Sequence, residues 1–134
     1  MSRLVDVTKY DDVIDSRDVI AHIEQLESDR DEWNDDDDNE VQWDIANPDD
    51  AELLSQLQVV AEECSGYADW EYGLTLIRYS YWEDYVEEFC KECGYIPDDL
   101  PSWIYIDWSR TAHDFGMDYA IVTFDGIDYY FRNC

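Results

Sequence analysis

Positive charge is what this sequence has least of. Two lysines, Lys9 and Lys91, and six arginines stand among 134 residues. A protein that binds nucleic acid directly gains affinity by neutralising phosphates with Lys and Arg. This chain should repel DNA. Long apolar runs are also missing. The opening stretch "MSRLVDVTKYDD" has no apolar leader core, and no run approaches the length of a membrane span. The expectation is a soluble, cytoplasmic protein with no membrane partner. Cysteines are sparse: Cys64, Cys90, Cys93 and Cys134. Such spacing without a leader favours reduced thiols over a disulfide scaffold. "CKEC", Cys90 to Cys93, is the one metal-like spacing. A structural zinc site needs four ligands, and Cys64, Cys134 and His113 are scattered. Cys90 falls mid-helix and not at a helix start, against a redox motif. The only other histidine is His22. His113 and Asp114 are neighbours on a helix, and adjacent helical residues do not face one another. There is no glycine-rich phosphate loop and no nucleophile elbow. The chain reads as a non-enzyme without metal or cofactor.

Acid is what it has in excess. Thirty-five Asp and Glu give a formal net charge of −27. Self-repulsion of that size weakens a compact state, so something other than folding favours it. Yet hydrophobic residues make up 46% and aromatics 16%, enough for a packed core. The length suits one domain or two very small ones. Seventeen acidic residues fall in 11–50 and seventeen in 51–134, the latter interleaved with Trp, Tyr, Ile and Val. That is an ordered acidic surface, not a core with an acidic tail. The densest stretch, "EWNDDDDNEVQWD" (32–44), holds seven carboxylates and no Lys or Arg. A run of four aspartates ordinarily marks a solvated, disordered tail. Here Trp33 and Trp43 frame it, so the two indoles should anchor a loop that presents Asp35 to Asp38.

"DSRDVIAHIEQLESDR" predicts a first helix, capped by Asp15 or Ser16, with Val19, Ile20, Ile23 and Leu26 on one face. Residues 29–40 read as a loop or frayed helix end. "NPDDAELLSQLQVVAEECSG" predicts a second helix. Asn47 caps it, Pro48 sits at its first position, and Asp49, Asp50 and Glu52 lie at the positive end of the dipole. Leu53, Leu54, Leu57, Val60, Ala61 and Cys64 form its buried stripe, and Gly66 its stop. "SYWEDYVEEFCKECG" predicts a third helix with a Ser80–Glu83 capping box, ended by Gly94. Trp82, Tyr85, Val86, Phe89 and Cys93 point inward. Outward lie Glu83, Asp84, Glu87, Glu88 and Glu92, and each like-charge pair four apart costs roughly 0.2–0.5 kcal/mol. "PDDLP" must turn, and Asp107 caps a short helix ending near Gly116. Residues 119–132 predict a hairpin with Asp125-Gly126 in a type I′ turn. The whole is α+β: acidic helices, then a small antiparallel sheet.

The repulsion of DNA, inverted, becomes a resemblance to DNA. Duplex DNA carries one negative charge per about 1.7 Å of axis, so 27 charges match roughly 46 Å of duplex. A compact domain of this length has a radius of gyration of about 14 Å, so its long dimension is comparable. Carboxylate and phosphate oxygens offer an arginine fork similar targets. The candidate phosphate-mimicking residues are Asp35, Asp36, Asp37, Asp38 and Glu40, then Glu83, Asp84, Glu87, Glu88 and Glu92, then Asp98 and Asp99. Their partner would be a DNA-binding or RNA-guided DNA-binding host protein, and not nucleic acid itself.

The segment "LIRYSYWEDYVEEFCKECGYIPDDLPSWIYIDWSRTAHDF", followed by "MDYAIVTFDGIDYYF", resembles the C-terminal part of the ArdA antirestriction family. The shared pattern is an acidic aromatic helix ended by Gly94, a proline-containing turn and "YIDW" (Tyr105 to Trp108). A helix with Arg110, Ala112 and Asp114 follows, then a closing hairpin. The resemblance covers about residues 74–134. It implies a phage or mobile-element protein that mimics DNA and inhibits type I restriction enzymes in the host cytoplasm, with a homodimer as one assembly. Family members open with a small β-rich domain, whereas residues 1–66 here read as acidic helices. The chain thus divides into an acidic helical region, 1–72, and an ArdA-like α+β domain, 73–134, which can also form one compact unit. The target is then a restriction enzyme, a CRISPR effector or another DNA-handling defence. Two other readings compete: an acidic chaperone or adaptor for a basic protein, and an ordinary protein of a high-salt cytoplasm.

Overall fold

The computed structural model describes Val7, Thr8 and residues 10–132. Lys9 and Cys134 lie outside that set. Strand β1 (Val13–Asp15) runs directly into helix α1 (Ser16–Asp35). Asp15 is the N-cap, its Oδ1 accepting from the Arg17 N–H at 2.9 Å. Ser16 does not cap. It is fully buried, donates through Oγ to the Trp70 carbonyl at 2.7 Å and accepts from the Leu74 N–H at 2.7 Å. The stretch 29–40, expected as a loop or a frayed helix end, becomes a turn only at Asp36, seven residues after its first position, because α1 stays helical through Asp35. Trp33 packs against the core from that last stretch and holds it. A short helix, α2 (Trp43–Ala46), follows the turn, and then α3 (Pro48–Cys64).

Helix α3 has Pro48 at its start and buries Leu54, Leu57, Val60 and Cys64; Leu53 and Ala61 are half-buried. Asn47 occupies the N-cap position without capping. Its side-chain amide donates instead to the Trp43 carbonyl at 3.1 Å, tying α2 to α3. Strand β2 (Thr75–Arg78) precedes a 3₁₀ turn, residues 79–81, and helix α4 (Trp82–Glu92). The expected Ser80–Glu83 capping box does not form; the Ser80 hydroxyl accepts from Arg78. Gly94, at φ +75°, ends the helix in the left-handed region as expected. Cys93, expected inward, is exposed because the helix stops at Glu92, while Cys90 faces in. Helix α5 (Trp108–Phe115) is capped by Asp107, which accepts from the Arg110 N–H at 3.1 Å. Strands β3 (Tyr119–Phe124) and β4 (Ile127–Arg132) form the expected hairpin, with Asp125 at φ +52° and Gly126 at φ +78°.

The sheet is antiparallel in the order β1-β2-β4-β3, so it draws a strand from before α1. Alternation along the strands splits the core into two clusters. Leu76, Val122, Phe124, Tyr129 and Phe131 face Val19, Leu26, Leu57 and Val60 of α1 and α3. Ile77, Tyr119 and Tyr130 face Trp82, Val86, Ala112 and Phe115 of α4 and α5. Three layers result, with α1 and α3 on one side of the sheet and α4 and α5 on the other. Trp82 is the keystone of the second cluster. It stacks on Tyr130 with centroids 4.4 Å apart and donates Nε1–H to the Ala112 carbonyl at 3.0 Å.

Candidate functional site

The aspartate run is a built turn. Asp35 ends α1, and Asp36 is its C-cap. The Asp36 carboxylate accepts from the Asp38 N–H at 3.0 Å, and the Asn39 amide donates to the Trp33 carbonyl at 3.0 Å. Both tryptophans anchor it, as expected. Trp33 donates Nε1–H to the Val41 carbonyl at 2.8 Å, and the Trp43 N–H donates to Asn34 Oδ1 at 3.0 Å, with the Trp43 ring buried in the core. Asp35, Asp36, Asp37, Asp38 and Glu40 are all exposed on this frame.

On α4, Glu83, Asp84, Glu88 and Glu92 are exposed. Glu87 is half-buried, paired with Lys91 at 3.6 Å. Glu88 accepts from the Tyr81 hydroxyl at 2.8 Å, and that bond pushes the Tyr81 phenol above its ordinary range. Asp98 and Asp99 are exposed in the turn that follows. Among the described residues, Arg17, Arg30 and Lys91 engage Asp15, Glu27, Asp31 and Glu87. Apart from Glu87, the residues named as phosphate mimics form no ion pair among the described residues.

Two features of this acid stand out physically. The first is density. Helix α1 carries seven carboxylates over a length of about 30 Å, one per roughly 4 Å. Helix α4 carries five over about 16 Å, one per roughly 3 Å. A single DNA strand has one phosphate per about 3.4 Å of axis. The second is placement. The partial negative charge at a helix C-terminus repels acid. Yet the last turns of α1 and α3 hold Glu32, Asp35, Glu62 and Glu63 and no base. Folding alone does not select such positions.

The named residues do not gather on one face. The turn at 35–40 leaves α1, while Glu83 to Glu92 lie on α4, and these helices cover opposite sides of the sheet. Acid therefore coats both outer layers. Sequence reasoning passed over Glu24, Asp31 and Glu32, and Glu62 and Glu63, which are exposed on α1 and α3 and extend the coat. Helical phase against the buried stripe could have found them.

The remaining candidates for chemistry stay apart. Cys90 and Cys93 point to different surroundings. Among the described residues no three His, Cys, Asp or Glu side chains are grouped to hold a metal ion. His22 is buried in α1, and its Nδ1 accepts from the Val7 N–H at 3.1 Å, while His113 is exposed on α5. No helix among the described residues is long and apolar enough to cross a membrane. The "YIDW" stretch divides by role: Tyr105 is 88% exposed, Asp107 caps α5, and Trp108 packs on the second cluster. No family model matches the chain, and neither a curated protein nor a solved structure matches it.

Proposed function

We propose that this protein is a non-catalytic DNA mimic, which inhibits a DNA-binding host-defence enzyme by occupying its nucleic-acid channel. The target class is a type I restriction-modification enzyme or an RNA-guided CRISPR effector, met in the host cytoplasm. One observation carries the reading: carboxylates at near-phosphate spacing coat both outer layers of an ordered fold, including helix ends where they oppose stability. A channel that encloses duplex DNA presents Arg and Lys from several sides. A body charged on opposite faces suits it better than a body with one acidic patch. Electrostatic complementarity would also speed the encounter. The ArdA resemblance of residues 74–134 supports the same target class.

The test is competition. Purified restriction and CRISPR effector complexes are titrated with the protein in the presence of labelled duplex. Loss of DNA binding in proportion to bound protein is expected, with excess duplex displacing the protein. A ternary complex holding both DNA and the protein would overturn the proposal.

A further inference from the structure

A cavity of about 610 Å³ opens on the α4–α5 side of the sheet, a size typical of ligand sites. Five rings line it: Tyr85, Phe89, Tyr95, Phe115 and Tyr119. They brace one another. Phe89 and Phe115 have centroids 5.2 Å apart, Phe115 and Tyr119 5.5 Å, and Tyr119 meets Trp82 edge to face at 4.8 Å. Walls held this way lose little freedom when a ligand enters. Three carboxylates, Asp69, Asp114 and Asp118, share the lining with one guanidinium, Arg132. Among the described residues no ion pair joins Arg132 to them. The lining keeps an excess of negative charge, and ring faces attract cations.

We propose that this cavity is a guanidinium site, which takes an arginine side chain presented by a partner protein. Arginine suits it better than lysine. Its head is planar and weakly hydrated, stacks on ring faces, and forks onto carboxylates. A protein source is favoured by the chain that leaves the lining. Tyr95, at the lining, begins the segment 95–105, in which Trp103 and Tyr105 are 75% and 88% exposed. Exposed aromatics of this kind are typical anchors of protein interfaces. The inference goes beyond DNA mimicry. Mimicry uses surface carboxylates and needs no cavity, and the cavity can be tested without any defence enzyme.

The full-length protein is titrated with N-acetyl-arginine methylamide and with the neutral citrulline analogue, followed by NMR. Binding of the arginine probe with upfield ring-current shifts of its side-chain protons is expected, and no binding of citrulline. The pair Asp114→Asn and Asp118→Asn removes two exposed charges at the cavity. The pair Glu62→Gln and Glu63→Gln removes two exposed charges on α3, across the sheet. The first should weaken the probe roughly tenfold and the second less than about twofold. A short peptide with one central arginine should bind at least as well as the probe. Equal binding of arginine and citrulline would mean an apolar cavity only, and equal weakening by both pairs would mean attraction by the general field. Either overturns the proposal. A peptide that fails where the free probe binds would overturn the protein source. None of these outcomes bears on competition with DNA.

Discussion

Ser16 carries more of the fold than a helix start ordinarily does. Its Oγ bridges the Trp70 carbonyl and the Leu74 N–H, and its own N–H donates to the Leu74 carbonyl at 2.8 Å. This clip fastens α1 to the entry of β2. Ser16→Ala should leave two buried backbone groups unpaired and cost about 1–3 kcal/mol in urea denaturation. A loss under about 0.5 kcal/mol would show that water replaces the hydroxyl. The sequence could not reveal this role, because the partners lie 54 and 58 residues away. Asp125-Gly126 was legible for the opposite reason: two successive positive φ angles are a local demand with a local signature. Two buried side chains set an alkaline limit on the fold. Burial pushes the Cys64 thiol up from 9.0 to about 12, with Glu63 adding to it. Burial also pushes the Tyr129 phenol up from 10.0 to about 12, against Arg78 and helped by Asp11. Both pKa values are raised in the folded state, so their contribution is intact below about pH 9. It declines as pH rises toward 12, where the unfolded chain has already lost these protons. The urea midpoint should fall across that window. At pH 8 iodoacetamide should modify exposed Cys93 and spare Cys64 until the protein unfolds.

At the scale of elements, the sign of each carboxylate's effect depends on which end of a helix it occupies. Asp18, Asp49, Glu83 and Asp84 sit in first turns, where the dipole favours them. Asp35, Glu62 and Glu92 sit in last turns, where it does not. Neutralising the second set, as Asp35→Asn, Glu62→Gln and Glu92→Gln together, should stabilise the protein by about 1–2 kcal/mol at low salt. Neutralising Asp18, Asp49 and Glu83 should destabilise it by a similar amount. Equal shifts in both variants, measured by thermal melts, would mean that helix dipoles are fully screened here. If the mimic reading holds, both variants should also bind the target more weakly, so stability and inhibition part company in the second set. The helices themselves were legible because amphipathic spacing over 11 to 20 residues is a strong local signal. Strands β1 and β2 were not. They have three and four residues and exist through pairing with each other and with β4. The 29–35 stretch, read as a loop or a frayed helix end, is helix throughout. Charge density there argues for a loop, yet one tryptophan, Trp33, packs on the core and carries the helix to its end.

For the molecule as a whole, the acidic coat was legible as composition and its layering was not. Which residues are charged is written in the sequence. That α1 and α4 lie on opposite sides of the sheet depends on Leu76 and Ile77 facing opposite ways along β2, a consequence of pairing that no local pattern states. The layering matters for salt dependence, where the mimic and high-salt readings divide. Target binding through Arg and Lys should weaken as salt rises, with a shallower slope than for duplex DNA. A protein surface condenses fewer counterions than a duplex and releases fewer on binding. The fold should respond in the opposite sense. A net charge of −27 spread over both layers repels itself across the protein at a Debye length of about 30 Å, reached at 0.01 M salt. At 0.15 M the length is about 8 Å, and repulsion between opposite layers is largely screened. Melting temperature should therefore climb with salt while affinity falls. The free protein should still be folded at 0.01 M. Two apolar clusters, centred on Leu57 and Tyr129 and on Trp82, bury enough side-chain surface to outweigh the repulsion. Circular dichroism melts and a target titration across the same salt series measure both halves. Unfolding at 0.01 M, with no partner captured at any salt, would make this a protein adapted to a salt-rich cytoplasm and remove the mimic reading.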